Sequence, residues 1–388
     1  MINLCFFFIY TEGTMAEVIL DIPGRVHFGS DVLNLVGSIA SEFGNRALLL
    51  ADYNLHEGRH IERVIDLLHS KGIQCILIDD LGTYGSSRTL KDTVEFARTS
   101  RIEIILAMGG SSTLNAGRAL ASRYRNTPNH PEAERSAYME ILTVFRYPFL
   151  LRNAYIEMDP RIQRLKVFSL PSNLHKGTLI DPGIMTGIST KYTGTLLMDT
   201  LLQALEGFLS SEGNFMTETL FRGALLHGGE GLNEALRGEK SLKPRVKAIQ
   251  SGVLSAFGYS ILRMGPAVAL SYTLNKQFDI PKSWIGTVLL PHLADIYEES
   301  HPELLAEAAK LIGEDTFGLY PQEAAASFSS HIRRSLAVLG LPTRLRDFDL
   351  KLPRLVEAAE EAAGLDSTLA FHVPLSVDSL YDFLKRAF

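Results

Sequence analysis

Apolar residues follow two rhythms along this chain. In the first half, Arg46–Ala51 (Arg-Ala-Leu-Leu-Leu-Ala), Ile73–Ile78 and Ile102–Met108 are short, nearly continuous apolar runs, the pattern of strands buried on both faces. Between them apolar residues fall three and four apart. His60–Ser70, with Ile61, Val64, Ile65, Leu67 and Leu68 in phase, and Thr89–Thr99 therefore read as helices. Strands alternating with helices predict a parallel sheet covered by helices. After about Asp181 strand-like runs almost vanish. Long helical patterns replace them over Thr193–Ser210, Thr217–Leu236, Lys247–Met264, Pro302–Ile312, Pro321–Leu339 and Leu352–Ala363. The expected architecture is an α/β, dinucleotide-binding-like domain over residues 15–181 and an all-helical domain over 182–388, with the cleft between them as the site. Ser122–Ala137, polar and holding Pro128, Pro131, Arg123, Arg125 and Arg135, reads as an exposed excursion without chemistry.

Composition narrows the function classes. The 388 residues suit two domains at roughly 150 residues each. A net charge of −6, without a clustered basic tract, argues against nucleic acid as a partner. Cys5 and Cys75 are too few for a disulfide framework or a multi-thiolate metal site, so a cytoplasmic protein is expected. The apolar run Leu4–Tyr10 is too short to span a bilayer and lacks a basic flank and a cleavage site, which argues against a membrane partner and a secretory signal. Translation is expected to start at Met15, leaving the first 14 residues as a poorly ordered extension.

One turn carries candidate chemistry. Ile104–Arg118 runs from a buried strand into a helix through Gly109 and Gly110, followed by Ser111 and Ser112. Glycine lets the backbone bend tightly and approach a ligand, and the first amides of the helix suit a pyrophosphate. Such a turn also serves simply to join a strand to a helix. Asp52, at the end of the first predicted strand, has two readings: acceptor for a ribose hydroxyl, or a helix cap.

The order strand, Ala51-Asp52, two strands, Gly-Gly-Ser-Ser, helical half resembles the iron-containing alcohol dehydrogenases and their relatives, the maleylacetate reductases. Further matching marks occur in family order: Ile180-Asp-Pro182, Met198–Glu206, Phe278-Asp-Ile-Pro281, Leu289-Leu-Pro-His292, Gly340-Leu-Pro-Thr343 and Val373-Pro-Leu375. The family's turn usually reads Gly-Gly-Gly-Ser with an Asp beyond it; here Ser111 and Asn115 stand at those positions. The resemblance implies NAD(P) as cofactor, with Asp52, Gly109, Gly110, Ser111 and Ser112 as its contacts, and a homodimer.

The resemblance also implies a metal held by one Asp and three His. The matching positions are Asp199, Gln203, Val268 and Lys282. Valine cannot coordinate and an ammonium repels a cation, so no metal is expected. Lys282 is then a substitute cation, a Schiff-base nucleophile or merely the partner of Asp199 in a salt bridge. Tyr272, where relatives often carry another His, is a proton relay or a structural tyrosine. The family's hydroxyl-bearing cofactor stretch is replaced by Leu142–Arg152, whose bulky Phe145, Tyr147 and Phe149 are expected to narrow the channel. Arg146 and Arg152 either grip an anionic substrate or face solvent. Candidate catalytic residues are thus Lys282, Tyr272 and Asp199, and candidate substrate contacts Gln203, Arg146, Tyr147 and Phe149.

Because both inherited sites depart from the pattern together, the favoured expectation is a repurposed, metal-independent, non-redox enzyme acting on a small, partly apolar molecule. The alternatives are a metal-independent NAD(P)-linked alcohol dehydrogenase or carbonyl reductase, and a catalytically inactive partner protein.

Overall fold

Along Arg46–Ala51 alternate residues serve different cores. Leu48 and Leu50 enter the core shared with the helical half, whereas Ala47 and Leu49 enter a smaller one on the opposite face of the sheet. That two-sided burial is what the unbroken apolar runs encode. The computed structural model describes residues 18–79, 87–185, 188–365 and 376–388; the Leu4–Tyr10 run, Met15 and Val373-Pro-Leu375 lie outside them.

The strands are β1 (Arg25–Phe28), β2 (Arg46–Ala51), β3 (Gln74–Ile78), β4 (Ile104–Gly109), β5 (Ala137–Leu142), β6 (Ala154–Asp159), β7 (Arg164–Ser169) and β8 (His175–Ile180). Six form one sheet in the order β1-β8-β5-β4-β2-β3, with every pairing parallel. β6 and β7 form a separate antiparallel hairpin. Helices α1 (Val36–Ala40), α2 (His60–His69), α3 (Ser87–Thr99), α4 (Ser111–Arg125) and α5 (Pro131–Arg135) accompany the sheet.

The helical half comprises α6 (Thr190–Phe208), α7 (Phe215–Leu236), α8 (Lys243–Tyr259), α9 (Pro266–Phe278), α10 (Lys282–Ser300), α11 (Pro302–Leu311), α12 (Pro321–Leu339), α13 (Leu355–Ala363) and α14 (Val377–Ala387). α6 is its hub, packing on α7, α8, α9 and α10. From Thr193 to Gly207 every residue is buried, the polar Asp199, Gln203 and Glu206 included. Among the described residues no helix is long and apolar enough to cross a membrane.

The expected α/β plus helical architecture is present, with one correction. Ser122–Ala137 is an exposed excursion only in its middle, over residues 126–135. Ser122–Arg125 form the last turn of α4 with Tyr124 fully buried, and Ala133 is buried in α5. Two of its three arginines are tied down: Arg123 pairs with Glu157, and Arg125 donates to the carbonyl of Ser136.

Candidate active site

Two parallel neighbours, β2 and β4, end side by side, so Asp52 lands beside the Gly109–Gly110 turn. Its carboxylate accepts the Gly110 N–H at 2.7 Å and also the Thr113 hydroxyl. Asp52 thus caps the N-terminus of α4, the second of its two expected roles. A Cβ on Gly109 would lie 2.6 Å from Asp52 Oδ2, so that glycine is needed for the close approach of Asp52 itself. Ser111 and Ser112 open the helix, and the Lys282 ammonium donates to Ser111 Oγ. Asn115, at the family's acidic position, accepts from the Tyr147 hydroxyl at 3.0 Å and the Ile156 N–H at 2.9 Å.

The stretch after β5 turns back beneath this corner. Arg118, wholly buried, pairs with Glu140 at 2.6 Å and donates to the carbonyls of Phe149, Leu150, Arg152 and Ala154. One guanidinium therefore gathers four carbonyls of a buried loop. Opposite, the Phe145 carbonyl seats against α8 where a Cβ on Gly252 would come within 1.6 Å of it.

These anchors aim Arg146 into the helical half. Its Nε donates to Asp199 Oδ2 at 2.7 Å and its Nη2 to Ser271 Oγ at 3.3 Å. Both partners of the ion pair are buried. Burial works against each charge, but Asp199 outweighs it at Arg146, whose pKa is held above its ordinary value. At Asp199 burial prevails over Arg146 and Lys282, and the pKa is raised. Gly286 on α10 leaves room for the pair, since a Cβ there would lie 2.0 Å from Asp199 Oδ1.

One turn beyond Asp199, on the same face of α6, lies Gln203, fully buried. Gln203 Oε1 and Nε2, Asp199 Oδ1 and Arg146 Nη1 all find no hydrogen-bond partner among the described residues. Tyr272 is buried on α9, and Lys282 Nζ stands 4.1 Å from its ring centroid. Burial, partly offset by Arg146, pushes the Tyr272 phenol up to about 12, so it is protonated at neutral pH. Burial and Arg146 hold the Lys282 ammonium well below its usual range, against the pull of Asp199 and Asp52.

Several expectations change with this geometry. The partner of Asp199 is Arg146, and Lys282 donates to Ser111, so the expected Lys282–Asp199 salt bridge gives way to two separate contacts. Arg146 does not face solvent: it is buried and its Nε is paired with Asp199. Tyr147 is engaged with Asn115 through its hydroxyl, and its ring lies 5.0 Å from the Arg118 guanidinium. Phe149 packs edge-on against Tyr272 at 6.4 Å and forms the apolar floor of the site. Arg152 lies over the Phe149 ring at 5.2 Å. Lys282, Tyr272, Asp199, Gln203, Arg146 and Ser111 do converge. Ser271, Gly252 and Gly286 were not legible as site residues, although Gly286 lies one helical turn from Lys282 on its own helix.

The residues do not fit a divalent metal. A guanidinium is paired with Asp199, the one carboxylate among the four matching positions, Val268 offers no donor, and the Lys282 side chain is engaged with Ser111. Among the described residues no group of three or more His, Cys, Asp or Glu could hold one. The turn does fit the phosphates of a nucleotide, through the leading amides of α4 at Ser111 and Ser112 with Lys282 beside them.

Comparison with known proteins agrees with the fold. The family description "Iron-containing alcohol dehydrogenase" matches residues 23–145, and "Fe-containing alcohol dehydrogenase family, C-terminal" matches residues 192–388. A 1,3-propanediol dehydrogenase of Citrobacter freundii is 25% identical over 355 residues, 87% of this chain and 91% of the relative. Maleylacetate reductase 2 of Cupriavidus pinatubonensis is 26% identical over 75% of this chain and 77% of its own. The crystal structure of a 1,3-propanediol oxidoreductase superposes with a TM-score of 0.86 at 21% identity, covering 96% of this chain and all (100%) of the other. The sulfoacetaldehyde reductase of Bifidobacterium kashiwanohense in complex with NAD+ gives a TM-score of 0.78 at 16% identity, over 96% and 99% of the two chains.

Proposed function

Because the chain belongs to the iron-containing alcohol dehydrogenase family, we propose that it is a metal-independent enzyme interconverting a carbonyl and an alcohol at the Arg146–Asp199 corner, with NAD(P) as co-substrate. One observation carries this reading: the 2.7 Å ion pair that lays a permanent positive charge on the carboxylate corresponding to a relative's metal ligand. A fixed, desolvated guanidinium can stabilise negative charge on a substrate oxygen without a Lewis acid. Asp199 holds Arg146 in place, and Arg146 Nη1 is the group that meets that oxygen. Tyr272, protonated at neutral pH, donates the proton that completes the alcohol. Lys282 and the amides of Ser111 and Ser112 hold the phosphates, and Gly109 and Asp52 shape the turn that presents them. The nicotinamide supplies or accepts the hydride when bound. The reported relatives are dehydrogenases and reductases, which favours redox chemistry over the non-redox expectation drawn from the sequence.

A second, non-redox reading has its own observation. Phe145, Tyr147 and Phe149 are core residues, so the segment offers apolar bulk where relatives line the cofactor with hydroxyls. The two readings separate on titration with NADH and NADPH, followed by thermal stability and nucleotide fluorescence. Binding of either nucleotide, with turnover insensitive to chelators, supports the first. No shift at saturating nucleotide removes it and leaves nucleotide-free turnover as the reading to pursue.

A further inference from the structure

Among the described residues, four buried side-chain atoms without a hydrogen-bond partner fall on three side chains of this corner. A buried donor or acceptor without a partner costs on the order of 1–3 kcal/mol, and native interiors hold few of them. Here Gln203 Oε1 and Nε2, Asp199 Oδ1 and Arg146 Nη1 belong to three side chains that share one helix face or one ion pair. Each is too buried for bulk water to serve as its partner. Their chemistry defines what is missing. Arg146 Nη1 and Gln203 Nε2 are donors that need an acceptor; Asp199 Oδ1 and Gln203 Oε1 are acceptors that need a donor.

The charges at the corner then separate two ligand classes. Arg146 and Asp199 cancel, and Gln203 and the Tyr272 phenol are neutral. Lys282 is engaged with Ser111, and burial with Arg146 depresses its charge. Glu206, one turn further along α6, accepts the Val268 N–H at 2.9 Å, and burial pushes it up to about 8. A carboxylate entering here would meet Asp199 Oδ1 without bringing a donor for it. An uncharged group with a C=O and an adjacent N–H or O–H satisfies both sets at once.

We infer that Arg146, Asp199 and Gln203 form a head-group site selective for an uncharged ligand that accepts and donates together, such as a carboxamide or a hydroxycarbonyl, over its carboxylate counterpart. This rests on the reading that the corner is the reaction site. Gln203 is the specificity-determining residue, because its carboxamide contributes one donor and one acceptor with no charge.

The test compares isobutyramide with isobutyrate, which share shape and differ in charge, by calorimetric titration of the full chain without nucleotide and again with NADH. The amide is expected to bind and the carboxylate to bind at least about tenfold more weakly. Gln203→Leu removes both amide atoms. It is expected to lower amide affinity about tenfold or more while leaving the melting temperature unchanged or higher, because unpaired polar atoms leave the core. A Gln203→Leu protein that melts much lower would show a structural amide and overturn the inference, as would tighter binding of the carboxylate. Binding of neither probe means that the atoms serve only a trapped water, which also overturns it. Amide binding without any response to NADH leaves the inference standing and removes the redox reading; a response to NADH without amide binding does the reverse.

Discussion

At Asp199 a single neighbour decides the chemistry. A carboxylate buried on α6 needs a cation, and Arg146 provides it at 2.7 Å. Removing one partner of a buried pair strands the other, at a cost of about 3–5 kcal/mol. Arg146→Ala should therefore destabilise the protein by that order, whereas the double variant with Asp199→Ala should recover part of the loss. Urea unfolding of the four proteins in this cycle measures the coupling, and strictly additive losses would refute a direct pair. If Arg146 also meets the substrate oxygen, Arg146→Lys should keep much of the stability and lose about 10²-fold or more in kcat. Asp52 works differently. It serves α4 as a cap, with two of its oxygens engaged by Gly110 and Thr113.

Between elements, glycines set how closely backbones meet. The loop carrying Arg146 is held on one side by Arg118 and on the other by contact with α8 at Gly252. A methyl group at 252 would lie 1.6 Å from the Phe145 carbonyl, a contact that only a shift of helix or loop relieves. Gly252→Ala is expected to displace Arg146 from Asp199 and to lower both stability and turnover. Gly223→Ala, inside α7, is the control for helix propensity, since the one heavy atom within 4 Å of its Cβ position is Leu254 Cδ1 at 3.2 Å, the end of a flexible side chain. Larger losses at 252 than at 223, in melting temperature and in kcat, are the outcome expected; equal losses would mean that the loop is not held at α8.

Across the molecule, stability should depend on pH through the buried sheet network. His175, at the start of β8, lies beside Glu140, Thr178 and the Gly177 carbonyl. Burial, reinforced by Arg118 and opposed by Glu140, pushes its pKa from 6.5 down to about 4. The unfolded chain takes up a proton below about 6.5 and the folded chain does so only near 4. The contribution is thus complete above 6.5 and is lost as pH falls towards 4. Denaturant midpoints should fall over that window, and His175→Gln should flatten the fall. An unchanged slope in that variant would assign the acid sensitivity to other groups.

Periodicity alone was enough for much of this architecture. The expected β2, α2 and α12 coincide with the observed elements to within a residue, because burial on one face or two imposes a period on the sequence itself. The motifs in family order named the scaffold. Strands β5 to β8 and helices α9 and α10 were not delineated from pattern, since short or wholly buried elements show weak periodicity. What only the tertiary structure decided is who meets whom. Asp199 lies 53 positions from Arg146, and Lys282 lies 171 from Ser111. The first arises where the loop after β5 is clamped between Arg118 and α8, the second where α10 starts beside the N-terminus of α4, and no local pattern records a contact that two distant backbones make. A side chain's chemistry can be read one residue at a time, but the partner that neutralises it, and hence what it can bind, is set by the packing around it.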